Sequence, residues 1–341
     1  MKRVGNKVNI VDTTLRDGSH AVSHSFDEKQ VTDIAGGLDK VGVSIIEISH
    51  GDGISGSSIN YGMMAHDEIS LIKAARAAVK NAKLGILLLP GIGTIEDLDR
   101  VADIGVDVVR VATHATEADI AIQHIQHAKK RGMMPVGFLM MCHMASPEKL
   151  LEQAQIFVDA GAEYVNIADS SGHMLPDDVK ARISLLAEKL PIPVGYHSHN
   201  NLGLSIANSI AALESGATYI DATCRGLGAG AGNTQNEVLC TVLKMMGYET
   251  GVDIYGLQDL AQEVVEPVMK RPQVIKTAPL MLGYAGVYSS FLLHTYRAAD
   301  KFGLNPRDIL VELGKRKMVG GQEDMIIDVA YSLAQQKKNQ K

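Results

Sequence analysis

Several kinds of function are excluded by what the chain lacks. Of its 341 residues only 4% are aromatic, tryptophan is absent, and there are three cysteines. Cys142, Cys224 and Cys240 lie too far apart for a disulfide framework or a paired metal motif, so they read as small buried hydrophobes. No stretch of about 18 apolar residues is present, and no membrane span is expected. The net charge is −6 with no block of like charges. A nucleic-acid footprint needs a basic patch interleaved with aromatics, which this composition cannot supply. Lys337-Lys338 reads as a frayed terminus. The opening residues carry no apolar stretch of the kind that makes a signal peptide, and the expectation is a cytoplasmic protein.

What is present suits a large α/β domain with an extension, since 46% hydrophobic content supports a sizeable core. Short apolar runs alternate with longer amphipathic ones eight times. Strands are expected over residues 8–15, 44–49, 84–89, 106–112, 135–141, 164–168, 193–199 and 219–224. They are continuously apolar or rich in Val and Ile, as strands buried on both faces should be. Amphipathic helices follow each, and Gly42, Gly105, Gly132, Gly161, Gly216 and Gly247 stand just past helix ends. Eight such units point to a (β/α)8 barrel over residues 1–255. An open doubly wound sheet would want fewer units and a GxGxxG after its first strand. From about residue 251 helices follow without strands, at 257–269, 289–301, 306–313 and 323–335. Residues 256–341 therefore read as a helical C-terminal region, with 270–279 as the hinge.

In barrels of this kind chemistry sits at the carboxyl ends of strands. Polar groups gather there: Arg16, Asp17 and His20 after the first strand, Glu47 and His50 in and after the second, Arg110 and His114 in and after the fourth, His143 after the fifth, and Ser170 after the sixth. His197-Ser198-His199 ends the seventh. Two histidines spaced i, i+2 share one face of a strand, and Asp17 can add a carboxylate. Two nitrogens and one carboxylate leave coordination positions open, as catalytic metal sites do. Arg16 beside Asp17 also fits a plain salt bridge, a single strand-end histidine also fits a cap or the core, and His50, His114 and His143 fit places in the pocket or just behind it. His24, His66, His124 and His127 read as solvated helix residues or their flanks. The glycine-rich run 226–232 fits either an anion cradle or a tight turn. No lysine stands at a strand end, which argues against Schiff-base chemistry. Leu87 and Leu89 share one face at the third strand's end and fit either a methyl pocket or ordinary barrel core.

Thr14-Leu15-Arg16-Asp17-Gly18-Ser19-His20 resembles the signature of the metal-dependent lyase and aldolase superfamily whose barrels begin with an Arg–Asp strand end. Within it the chain resembles the 4-hydroxy-2-oxovalerate aldolase family. The resemblance is carried by His50-Gly51-Asp52-Gly53, Leu87-Leu88-Leu89-Pro90-Gly91, Arg110-Val111-Ala112-Thr113-His114 and Gly137-Phe138-Leu139-Met140-Met141. Gly283-Tyr284-Ala285-Gly286-Val287-Tyr288-Ser289-Ser290-Phe291 and Gly320-Gly321-Gln322-Glu323-Asp324-Met325 extend it over nearly the whole chain. Departures are Asn166-Ile167-Ala168 before Asp169, His173 where a small residue is expected, and Asn200-Asn201.

The resemblance implies Mn²⁺ on Asp17, His197 and His199, other divalent cations being open. It implies His20 as general base, Arg16 as stabiliser of enolate charge, and Ser170 and Tyr288 as substrate contacts. The implied reaction is retro-aldol cleavage of a 2-keto acid to pyruvate and an aldehyde. The C-terminal region would cover the barrel mouth and bind an acylating acetaldehyde dehydrogenase in a hetero-oligomer. Two rivals stand beside this reading. A Claisen-type enzyme joining an acyl-CoA and a 2-keto acid keeps the same ligands but needs basic contacts for CoA phosphates, and the loops are poor in lysine. A non-catalytic scaffold barrel does not need Arg16, Asp17, His20 and both strand-seven histidines.

Overall fold

Alternation of side chains on a strand decides this fold, because each strand must bury both faces. The computed structural model describes residues 7–289, 291–319 and 322–339. Ser290, Gly320 and Gly321 of the stretches quoted above lie outside the described residues, as do residues 1–6 and 340–341. Eight strands run Asn9–Leu15 (β1), Ile45–Ile48 (β2), Lys83–Leu88 (β3), Val108–His114 (β4), Met134–Met140 (β5), Tyr164–Asp169 (β6), Val194–Ser198 (β7) and Tyr219–Ala222 (β8). They close in sequence order into a parallel barrel, β8 pairing back onto β1. The expected (β/α)8 architecture is the one observed, with strand ends within one or two residues of those read from the sequence.

The helices that follow are Glu28–Lys40 (α1), Glu68–Ala78 (α2), Ile95–Ile104 (α3), Ile122–Lys130 (α4), Pro147–Ala160 (α5), Pro176–Lys189 (α6), Ser205–Glu214 (α7) and Asn236–Met245 (α8). Local chemistry fixes their ends. Asp27 accepts from the Gln30 N–H while Gln30 reaches back, a capping box. Gly105 and Gly161 end α3 and α5 at φ 92° and 102°, a region that only glycine enters without strain.

Outward-facing strand residues such as Ile10, Ile46, Leu84 and Val109 join the helices in one large core. Inward-facing Val11, Ile45, Val108, Val136 and Tyr164 fill the lower barrel. Leu87, Ala112, Phe138 and Ala168 form a second inward cluster nearer the carboxyl ends.

Helix α9, Ile254–Asp259, continues as a π turn to Val265. The expectation assigned residues after 255 to the C-terminal region. Leu257, Leu260, Ala261 and Val265 instead pack into the barrel core, because their apolar face covers α1. The C-terminal core begins later, with Leu282, Val287, Phe291, Ile309, Leu313, Ile326 and Val329. It comprises Thr277–Ala285 (α10), Phe291–Phe302 (α11), Pro306–Lys315 (α12) and Met325–Asn339 (α13). The segment read as a hinge, 270–279, thus contains the first turn of α10. Pro279 masks that helix in the sequence, yet a proline in the first turn costs no backbone hydrogen bond.

Candidate active site

The carboxyl ends of the strands surround a cavity of about 530 Å³, which reaches from the barrel mouth to the C-terminal helices. Arg16, Asp17, His20, Leu87, Leu89, Ser170, His197, His199 and Tyr288, the residues expected from the sequence, all line it.

Strand β7 and the bridge residue just past its end bring His197 and His199 together, and the turn after β1 brings Asp17 to meet them. Asp17 Oδ2 lies 3.4 Å from His197 Nε2 and 3.3 Å from His199 Nε2. One donor atom from each of the three residues lies within 4.8 Å of the others, and all three are buried. His197 Nδ1 donates to Asp221 Oδ2 at 2.9 Å. A carboxylate only accepts, so this contact keeps a proton on Nδ1 and aims Nε2 at Asp17, the nitrogen that would take a cation. Burial opposes ionisation of Asp17. The Arg16 guanidinium and the two imidazoles outweigh it and hold the carboxyl well below its usual range. An anionic oxygen and two imidazole nitrogens, buried and converging, fit a divalent cation with coordination positions to spare.

Arg16 extends along the cavity wall. Its Nη1 donates to Asp17 Oδ2 at 2.9 Å and its Nε to Glu47 Oε2 at 2.8 Å. Nη2 has no partner among the described residues. A buried guanidinium N–H without a partner is costly unless something binds there. His20 stands beside it with its Nε2 3.9 Å from Asp52 Oδ2. Its ring packs on the Gly51 backbone, where a Cβ would lie 2.3 Å from His20 Nε2. Glycine is what allows that approach. On the far wall Met141, held at φ 55°, points its N–H at Ser170 Oγ, 3.1 Å away. Ser170 therefore accepts from the backbone and keeps its own hydroxyl proton to donate. Burial pushes the Tyr288 phenol up, so it stays protonated. Leu87, Leu89, Phe138 and Met140 make the apolar side.

Other sequence candidates lie elsewhere. His143 Nε2 meets the Gly286 carbonyl at 3.1 Å, and His173 Nδ1 meets that of Gly283 at 2.6 Å. These two rings clasp the end of α10 rather than the cavity. His173 is one of the departures noted above, and this contact is what it does. His50 accepts from the Asp52 N–H and reaches the Gly62 carbonyl at 3.0 Å. His114 bonds Thr116. Neither lines the cavity. The expectation that His24 and His124 are solvated is overturned, since both are buried. His24 stacks on His50 at 3.9 Å and bonds Ser19, while His124 shares the inner face of α4 with Ile125 and Ala128. The buried thiols fit the structural reading, with burial pushing Cys142 up to about 12. Among the described residues no lysine lines the cavity.

Asp221 was not anticipated, nor was the link from Glu47 through Arg110 to it. The signal was available: an acid at an inward position of the short apolar strand β8, in register with Val11 of β1.

Comparison with known proteins identifies the family. A family profile described as HMGL-like matches residues 7–264, and one described as a DmpG-like communication domain matches residues 273–335. A protein named 4-hydroxy-2-oxovalerate aldolase from Moorella thermoacetica is 66% identical over 330 residues, 97% of this chain and 98% of its own length. One of the same name from Carboxydothermus hydrogenoformans is 58% identical over 335 residues, 98% of this chain and 100% of its own. Of solved structures, the carboxyl transferase domain of Rhizobium etli pyruvate carboxylase with pyruvate and biocytin is similar in fold. Its TM-score is 0.81 at 16% identity, covering 98% of this chain and 62% of that one. The chain belongs to the HMGL-like family and, within it, to the 4-hydroxy-2-oxovalerate aldolases, which makes it a lyase.

Proposed function

We propose that this cavity cleaves 4-hydroxy-2-oxopentanoate between C3 and C4, giving pyruvate and acetaldehyde. Asp17, His197 and His199 would hold a divalent cation, with Mn²⁺ its proposed identity. When bound, that cation supplies Lewis acidity to the keto end of the substrate. The chain's own groups do the rest. Arg16 directs its partnerless Nη2 at the C2 oxygen, where negative charge grows. Ser170 and Tyr288 donate their hydroxyl protons to the keto-acid end and orient it. His20 takes the proton from the C4 hydroxyl as general base. The O–H electrons form the new carbonyl, the C3–C4 pair becomes the pyruvate enolate, acetaldehyde leaves, and a proton added at C3 gives pyruvate while His20 gives up the one it took. Leu87 and Leu89 pack the methyl group that acetaldehyde carries away.

The reading rests on one observation: the convergence of Asp17, His197 and His199 in the cavity that also holds His20 and a partnerless Arg16 nitrogen. It is tested with 4-hydroxy-2-oxopentanoate by following pyruvate release with added Mn²⁺ and with chelator. Chelation should abolish release and Mn²⁺ restore it. His20→Ala should lose roughly 10²- to 10⁴-fold in turnover while still binding Mn²⁺. Cleavage at the wild-type rate in that variant removes His20 as the base.

The match of residues 273–335 to a communication domain supports an acylating acetaldehyde dehydrogenase as partner, in a hetero-oligomer that takes the aldehyde onward. Among the described residues no helix is long and apolar enough to cross a membrane, and a cytoplasmic location is proposed. Co-elution of the two proteins from size exclusion, lost on deletion of residues 273–335, is the expected outcome.

A further inference from the structure

Behind the cavity the charged residues close on themselves. Arg16 Nη1 donates to Asp17 Oδ2 at 2.9 Å, and Arg16 Nε donates to Glu47 Oε2 at 2.8 Å. Arg110 Nη1 donates to the same Glu47 oxygen at 3.2 Å, and Arg110 Nη2 donates to Asp221 Oδ2. His197 Nδ1 donates to that Asp221 oxygen at 2.9 Å, and His197 Nε2 returns to Asp17 at 3.4 Å. Six side chains thus make one ring, no member more than 5% exposed. Arg16, Asp17 and His197 line the cavity; Glu47, Arg110 and Asp221 do not.

We infer that Arg110 is a positioning residue for both halves of the chemistry, fixing the Arg16 guanidinium through Glu47 and the His197 ring through Asp221. The inference rests on the roles proposed above for Arg16 and His197.

The physical case comes from the shape of the guanidinium. A planar fork can hold two carboxylates from different strands in fixed directions, which a single ammonium cannot. Arg110 is itself immobilised. Its side chain is fully buried, its guanidinium carbon lies 4.6 Å from the centre of the Phe138 ring, and that ring meets His197 edge-on at 5.7 Å. The Asp221 oxygen held by the fork is the one that accepts the His197 N–H. The Glu47 oxygen held by the fork is the one that accepts from Arg16. Loss of the fork leaves each carboxylate free to rotate about its own side chain, and the groups facing the cavity lose their aim.

The test measures Mn²⁺ affinity by calorimetry alongside kcat. Glu47→Gln should lower kcat and leave Mn²⁺ affinity close to wild type, because only Arg16 loses its anchor. Asp221→Asn should weaken Mn²⁺ binding roughly 10- to 100-fold, as removal of a ligand-orienting group does. Arg110→Lys, which keeps the charge, should do both. Arg110→Lys in the Asp221→Asn background should weaken Mn²⁺ no further, since both act through one group. A merely structural role predicts additive losses and no split between the two readouts. Arg110→Lys that binds Mn²⁺ and turns over like wild type overturns the inference alone. Should that variant not fold, Glu47→Gln and Asp221→Asn decide: a split supports the ring, and equal losses of affinity overturn it. Wild-type protein that takes up no Mn²⁺ overturns the reading of the site and this inference with it.

Discussion

Two buried aspartates five residues apart, Asp12 on β1 and Asp17 just beyond it, meet opposite environments. Asp17 faces inward, where Arg16 and the two imidazoles reach it, and is held well below the usual carboxylate range against the cost of burial. Asp12 faces outward to α8. Its partners are the Thr14 N–H at 2.9 Å and the Asn236 side-chain amide at 2.8 Å, with Cys224 nearby. Among the described residues no cation answers it, and burial pushes it up to about 6. Burial alone does not make a working carboxylate; a neighbouring positive charge does. The inner wall sets Arg16 and Arg110 against Asp17, Glu47 and Asp221, with the His197 ring between two of those carboxylates.

The comparison breaks most severely at Asp17. Asp17→Asn removes the anionic ligand and the partner of Arg16 together. Loss of Mn²⁺ affinity should exceed the roughly 10- to 100-fold that an orienting residue is worth. Turnover should fall to background. Calorimetry and pyruvate release check both, and wild-type turnover would show that the ligand set is elsewhere.

A smaller effect is expected at the rim. Gly51→Ala places a Cβ 2.3 Å from His20 Nε2, so the imidazole must swing away, while Asp17 and its histidines stay put. A displacement of about 1 Å can cost 10²-fold in rate, and kcat should fall by about that factor with Mn²⁺ binding unchanged. Equal kcat in the two proteins would mean that the ring has room to move and still act.

Much of the inner wall was legible because strand alternation and strand-end chemistry are local signals. His197 and His199 announce themselves by spacing, and Arg16-Asp17 by position. The ring through Glu47, Arg110 and Asp221 was not legible, because it depends on register across β1, β2, β4, β7 and β8. That β3 pairs Leu87 with Arg110 is a property of the closed barrel and of no single segment. Helix α10 was missed since Thr277–Ala285 is apolar on nearly every side, so no amphipathic period marks it. The segment after residue 255 was misassigned for a related reason: its apolar face is ordinary, and only the tertiary partner, α1, says which core it joins.

Acid sharpens the contrast further. Burial pushes His24 and His143 each down to about 3, so both stay neutral in the fold while the unfolded chain takes up protons below its ordinary value of 6.5. Stability from these groups is present above that value and lost as pH falls from 6.5 towards 3. Asp17 and Asp221, both lowered despite burial, lose theirs below the ordinary 3.8 as they protonate. Asp12 acts the other way. Its folded form holds a proton that the unfolded chain releases above 3.8, so it costs stability as pH rises from 3.8 to 6. Melting temperature should therefore fall on acidification below pH 6.5, with Asp12 blunting the fall.

Asp12→Asn isolates that last contribution and should have the least effect on chemistry. The amide carries no charge to bury, and Asn236 can turn its own side chain to accept from the new N–H group. The variant should melt higher than wild type at pH 7, by an amount worth at most about 3 kcal/mol for a shift of this size. The advantage should vanish below about pH 4, where the aspartate is protonated in both folded and unfolded chains. Turnover should match wild type, since Asp12 is turned away from the cavity. A variant that melts lower at pH 7, or loses Mn²⁺, would mean that the surroundings of the outward carboxylate stabilise its charge and that it supports the inner wall after all, and the division between the two aspartates would fail.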